Sequence, residues 1–235
     1  MAAVAAEAGS ACALRRPARL IPAGRRSTLP TPFGPRPPVT ATPQHRSLRT
    51  RRLLLRPLTV ADAPALFPVF SDPDSMRWFG ELHRTQADTE ALFHDYTVGP
   101  YAAGARQWAI LPAAGGAPVG SLSLHRMQQG MCQTGYILVP AARGRGLASE
   151  ALAAVLTHAF LELGLHRVEA KVDPDNIASL RTVERLGFVR EARLRRSFPA
   201  RDEWRDEVVF GLLAREWLDG APEVADLIRA AGASP

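Results

Sequence analysis

Cysteine is scarce in this chain and lysine nearly absent. The two cysteines, Cys12 and Cys132, are too few and too far apart to form a disulfide framework or a CxxC metal clip. The six histidines, at 45, 83, 94, 125, 158 and 166, show neither HxxxH nor His/Cys ligand spacing, so no metal site is expected. No apolar run approaches the roughly 20 residues of a membrane helix, so no membrane span is expected either. Unpaired thiols fit a reducing compartment, and the expected location is cytoplasmic. Lys171 is the single lysine beside 28 arginines, a bias that a GC-rich genome also produces.

Charge is unevenly spread. Residues 1–52 hold ten arginines and one acid, Glu7, for +9, whereas residues 53–235 stand at −3. The net +6 therefore belongs to a basic leader and not to the domain, and nucleic acid is not an expected partner. Residues 1–48 also carry eight of the 20 prolines without hydrophobic periodicity, which reads as a disordered Ala/Arg/Pro-rich leader. Its composition resembles a transit peptide, but Glu7 interrupts the apolar start and no basic stretch precedes it; a start-site extension would look the same. One domain is expected over residues 49–218, followed by a tail at 219–235, and a homodimer is compatible with the pattern.

From Leu53 the texture changes. LLLRPL (Leu53 to Leu58) reads as a buried strand, and Thr59 with Asp62 three residues on predicts a helix start. Thr85 and Asp88 predict a second helix in the same way. A three-strand meander follows at Arg106 to Leu111, Pro118 to His125 and Cys132 to Val139. Leu152, Val155, Leu156, Ala159 and Leu163 then share one helix face, with Gly164 as the stop. Arg167 to Val172 predicts a strand, Asn176 to Leu186 a helix, and Phe188 to Leu194 and Glu207 to Leu213 two last strands. The fold class is α/β, with flanking helices on a mixed, mostly antiparallel sheet that contains one parallel crossover around residues 132–172.

Two segments carry the chemistry. ARGRGLASEALAAV, Ala142 to Val155, alternates glycine with arginine and runs into a helix. Free amides and a positive dipole end there favour an anion, glycines allow it close approach, and arginine adds charge-assisted bonds. It is neither a Walker loop nor a dinucleotide fingerprint, since GKS/T and a third glycine are both missing. The second segment, NIASLRTVERLGF, begins 28 residues after Ala148, with Asn176 as a cap and Gly187 as a stop.

Order and spacing together resemble the GNAT superfamily of N-acetyltransferases, whose acetyl-CoA loop reads (Q/R)-x-x-G-x-(G/A). Arg143, Gly146 and Ala148 fill its fixed positions. LLLRPL with TVADAPALF, GYILVP, NIASLRTVERLGF and EWRDEVVFGLL extend the resemblance over about residues 50–215, within the branch of ribosomal-protein N-terminal alanine acetyltransferases. It implies a GNAT fold in which the strand at Tyr136–Val139 splays from the next strand, with acetyl-CoA as co-substrate and no metal. The resemblance places the coenzyme pyrophosphate on the amides of Arg143, Gly144, Arg145, Gly146, Leu147 and Ala148. The pantetheine arm falls along Tyr136, Ile137, Leu138 and Val139, held by Asn176 and Ser179. The Leu138 N–H would stabilise the oxyanion.

Many members use a tyrosine seven residues after the asparagine as the acid. Val183 stands there, which makes Ser179 the candidate donor to sulfur; an ordinary helix-surface serine is the alternative. Gln133 replaces an acidic residue often found in that strand, leaving Glu81, Glu203, Asp206 or water as candidate bases. Asp206 reads better as a structural anchor and Cys132 better as a core thiol than as a nucleophile. Trp78, Phe79 and Trp204 are candidates to line the acceptor pocket. The implied activity is acetyl transfer to a primary amine, a protein N-terminus or a small molecule. The alternatives are an acyl-CoA-binding module without catalysis and a ribosome- or RNA-associated protein acting through its leader.

Overall fold

The structure is a computed structural model that describes residues 45–200 and 203–220. The predicted leader up to residue 44 and the tail from residue 221 lie outside the described residues. Eight strands form one sheet: β1 (Leu48–Arg49), β2 (Leu53–Pro57), β3 (Arg106–Pro112), β4 (Gly120–Gln128), β5 (Met131–Leu138), β6 (Arg167–Val172), β7 (Val189–Ala200) and β8 (Glu203–Leu213). Their order across the sheet is β1-β2-β3-β4-β5-β6-β8-β7. Every neighbouring pair is antiparallel except β5 and β6, which run parallel across the predicted crossover.

Helices α1 (Ala63–Phe70), α2 (Pro73–Met76) and α3 (Gln86–Thr97) contribute to one core, and α4 (Leu147–Leu161), α5 (Ile177–Arg185) and α6 (Ala214–Leu218) to the other. Strand alternation sorts residues between them: Trp108 and Ile110 join the α4 core, whereas Ala109 and Leu111 join the α1–α3 core. Helix α4 is buried almost all round, which explains its alanines: small side chains let it lie close to the sheet. Leu152 and Leu156 in it are fully enclosed, so truncating either to alanine should remove about 2–5 kcal/mol of stability.

The cap signals act as expected at Thr85, whose Oγ1 accepts the Asp88 N–H (3.3 Å) while the Asp88 carboxylate accepts the Thr85 N–H (2.9 Å). At Thr59 the helix starts as a 3-10 turn, Val60–Asp62, before α1. Pro64 lacks the N–H that would reach back four residues, so this turn closes through the Ala63 N–H onto the Val60 carbonyl. Asp62, buried there, accepts two bonds from Arg56 (2.8 and 2.5 Å) and one from the Thr59 N–H (2.9 Å).

Three short elements, β1, α2 and α6, carry no periodicity long enough to read from sequence. Residues 45–48, which composition assigns to the leader, pack on the sheet here: Leu48 is buried, and the Arg46 carbonyl accepts the Trp108 Nε1–H (2.9 Å). Strands β7 and β8 also extend well beyond their predicted ends. β7 is exposed along most of its length and broken by register shifts around Ala192 and Phe198, so it has no hydrophobic alternation to betray it.

Candidate active site

The parallel pairing of β5 with β6 ends at Thr134 and Ala170. Beyond it, Gly135 to Leu138 pair only with β4, and Lys171 and Val172 only with β8, so a fork opens between the two strands. The Val139 N–H donates to the Val119 carbonyl (2.9 Å). By strand alternation Ile137 also turns its backbone to β4, while Tyr136 and Leu138 turn theirs into the fork. The Leu138 carbonyl there accepts the Arg143 Nε–H (2.9 Å).

A 3-10 turn, Pro140–Ala142, leads from β5 into the glycine loop. Gly144 and Gly146 both take φ of 72°, a left-handed conformation that side chains with a Cβ disfavour, and Gly146 caps α4. The first amide to bond back onto the chain is Glu150 N, to the Gly146 carbonyl (3.1 Å). Among the described residues the amides of Gly144, Arg145, Gly146, Leu147, Ala148 and Ser149 find no protein acceptor. Residues 143–146 are exposed, so the amides of Gly144, Arg145 and Gly146 face solvent at the positive end of a 15-residue helix, an arrangement that fits a diphosphate.

The free amides run one residue later than the predicted 143–148, because the Pro140 carbonyl captures the Arg143 N–H (3.1 Å). The Arg143 guanidinium is also engaged away from the loop, on the Leu138 carbonyl and on Ser75 Oγ of α2 (2.5 Å). Ser75 in turn bonds the Asp72 carboxylate. Arg143 thereby braces α2 against the end of β5. Behind the loop, burial alone would raise the Glu150 carboxyl, but bonds from Thr50 Oγ1 (2.6 Å) and from the Arg52 backbone and side chain (2.9 and 2.5 Å) outweigh it and hold it low.

Asn176 caps α5 by accepting the Ser179 N–H on Oδ1 (3.1 Å), which leaves its side-chain NH2 available as a donor. The Tyr136 hydroxyl donates to Ser179 Oγ (3.2 Å) from across the fork. Burial pushes the Tyr136 phenol up, and bonds to Ser179 and Thr182 only partly offset this. Val183 is 1% exposed in the α4 core, so no acid comes from that position. Cys132 is equally enclosed, and burial, helped by Glu169, raises its thiol to about 12; it is a core thiol.

The opposite mouth of the fork is built from distant segments. Arg205 of β8 pairs with Asp173, Asp175 (2.8 Å) and Glu203 (2.6 Å), and its guanidinium lies 5.3 Å from the centre of the Trp78 ring. The loop at Gly80 approaches Phe198 of β7. Phe79 and Trp204 are 42% and 62% exposed, so neither belongs to a core. Among the candidate bases, Asp206 is engaged by Arg193 and by the Arg196 N–H (2.9 Å), Glu203 is paired with Arg205, and Glu81 is exposed.

Ser123 and His125 of β4 lie on the sheet face opposite Tyr136, bonded to each other (3.1 Å) beside Gly135. Sequence reading passed over them. Their signal was the alternation in SLSLH, where polar Ser121, Ser123 and His125 stand opposite the buried Leu122 and Leu124. Among the described residues no helix is long and apolar enough to cross a membrane, and no three His, Cys, Asp or Glu side chains group to hold a metal.

Residues 52–189 match the family profile described as an acetyltransferase (GNAT) domain. The uncharacterized N-acetyltransferase YnaD of Bacillus subtilis is 29% identical over 171 residues, covering 72% of this chain and 98% of YnaD. The ribosomal protein uS5-alanine N-acetyltransferase of Escherichia coli is 32% identical over 89 residues, 38% of this chain and 46% of that enzyme. A crystal structure of a GNAT-family acetyltransferase from Bacillus anthracis shares the fold with a TM-score of 0.65 at 27% identity, over 72% of this chain and 99% of that one.

Proposed function

The chain belongs to the GNAT family of acetyl-CoA-dependent N-acetyltransferases, and from that premise we propose that it transfers the acetyl group directly to a primary amine. The carrying observation is the pairing of two features at one fork: six amides at the α4 N-terminus without an acceptor among the described residues, and an edge of β5 beyond Thr134 that pairs with no strand. The first suits the diphosphate of a coenzyme and the second its peptide-like arm. The amides of residues 144–149 take the diphosphate, the Tyr136–Leu138 edge and the Asn176 amide take the arm, and the Leu138 N–H stabilises the oxyanion. Ile137 and Val139, whose backbones turn to β4, shape the fork through their side chains.

Proton delivery to the departing thiolate falls to Ser179. An isolated serine hydroxyl is a poor acid, but here Tyr136 donates into Ser179 Oγ, which leaves the serine's own proton directed elsewhere and backs it with a phenol. Three carboxylates around Arg205 give the acceptor mouth an acidic cluster, beside which Arg77 also lies over the Trp78 ring, and that cluster supports an amine as the acceptor. The partial likeness to the uS5-alanine enzyme supports a protein N-terminus as acceptor, beside a small-molecule amine. Free thiol release from acetyl-CoA should therefore appear with at least one of an alanine-initiated peptide, spermidine or an aminoglycoside. Tight acetyl-CoA binding without thiol release from any amine would reduce the chain to a binding module.

A further inference from the structure

The acid side of the fork has a hydroxyl relay, but the amine side needs a proton acceptor; of the predicted carboxylates there, Glu203 and Asp206 are held by arginines and Glu81 stands exposed beside Gly80. We propose that His125, held by Ser123, takes the proton from the acceptor nitrogen during transfer; this rests on the acetyl-transfer reading above. His125 stands opposite Gln133 and Ser123 opposite Gly135, the first β5 residue beyond the last β5–β6 pair. A Cβ built on Gly135 would lie 3.9 Å from His125 Cε1 and 3.7 Å from Ser123 Oγ. The glycine therefore leaves both groups lying along the strand where the fork opens, on the face opposite Tyr136 and Ser179.

Nδ1 is the ring nitrogen that meets Ser123 Oγ (3.1 Å), and Ser123 Oγ also lies within reach of the Gly135 carbonyl (3.4 Å). In the tautomer that carries its proton on Nδ1, Nε2 keeps its lone pair and is the nitrogen that acts as base. Nearby charged groups are already committed: Glu169 to Arg167 and Gln133, and Glu207 to Ser197 and Lys171. His125 is half-buried, so its ring is reachable. Burial first, and then Arg126, lower its pKa to about 4, which keeps it unprotonated at neutral pH.

That value also decides the order of events. Stripping a free α-ammonium, which titrates near 8, would be roughly ten-thousand-fold unfavourable for such a base. The amine must therefore arrive neutral. Its lone pair forms the N–C bond while the carbonyl pair moves to oxygen, and the nitrogen, now positively charged, is far more acidic. His125 Nε2 takes that proton. The oxygen pair then restores the carbonyl, the C–S bond breaks with its electrons on sulfur, and Ser179 supplies the proton there while the Tyr136 hydroxyl refills the serine. His125 gives its proton to solvent and Tyr136 takes one back from solvent, so the enzyme is restored and the products are the amide and free coenzyme A.

The test uses the full chain with acetyl-CoA and whichever amine of the panel releases thiol. His125→Ala should lower kcat about 100-fold while acetyl-CoA affinity by calorimetry stays within twofold, and millimolar imidazole should restore part of the activity. His125→Asn, which keeps a polar side chain, should show the same loss without rescue by refolding additives. Wild-type kcat in either folded variant, or a loss that imidazole leaves untouched, overturns the proposal. A wild-type chain that releases no thiol with any amine would overturn both the acetyl-transfer reading and this one. Active wild type with indifferent variants overturns His125 alone.

Discussion

On the proposed donor side of the fork, every group comes from the single stretch between Tyr136 and Ser179: one strand edge, one glycine loop, and the N-termini of two helices. The proposed acceptor side draws on β4, the segment after α2, the loop after β6 and the β7–β8 hairpin, where Arg205 pairs with Asp173 and the loop at Gly80 approaches Phe198. A site held by neighbouring backbone turns depends on few side chains, so its geometry survives sequence drift. A site held by side chains from distant segments changes shape with each substitution, which suits the part that selects the amine. Arg143 is where the two sides meet, since it sits in the loop yet bonds Ser75 of α2.

The largest effect should come from the donor side. Gly146→Trp puts a bulky side chain at a φ of 72° among the free amides. Losing two or more charge-assisted bonds should weaken acetyl-CoA binding at least about 100-fold by calorimetry, with the far-UV spectrum unchanged. Unchanged affinity would mean that the loop does not hold the coenzyme. Tyr136→Phe comes next: kcat should fall roughly 10- to 100-fold with acetyl-CoA affinity retained, because the Ser179 hydroxyl loses its donor. Equal kcat would leave Ser179 acting without the phenol.

Ser75→Ala tests the link between the two sides. It removes the anchor that Arg143 uses to brace α2, so KM for the amine should rise by a few-fold, about 1 kcal/mol, while acetyl-CoA affinity holds. A change in acetyl-CoA affinity instead would assign Arg143 to the donor side alone. The smallest effect on activity belongs to a control far from the fork. Burial, aided by Arg106 and His158, holds the His45 pKa at about 4, against 6.5 when unfolded. Between these values the unfolded chain binds the extra proton, so stability is full above pH 6.5 and is lost as pH falls toward 4. His45→Gln should flatten that part of the urea midpoint profile without altering kcat at neutral pH.

The donor side was legible because its signals are local: Gly144 and Gly146 at positions that require positive φ, Asn176 at a cap, and Val183 where a tyrosine would otherwise stand. The fork itself was expected from the family resemblance, and the register places it after Thr134. Arg143 shows the limit of motif reading. Its position in the loop was clear, but its side chain follows an α2 serine distant in sequence. His125 was hidden for a similar reason: a lone histidine in a strand acquires meaning only from Ser123 beside it and Gly135 across the ladder. Helix α2 and strand β1 are too short to show a period, and tertiary contacts alone define them.

The most direct measurement follows backbone amide resonances as acetyl-CoA is titrated into the full chain. The amides of residues 144–149 and of Leu138 should shift most and gain protection from exchange, since each acquires a coenzyme oxygen as acceptor. Binding that leaves those amides in place and moves another surface would contradict this assignment.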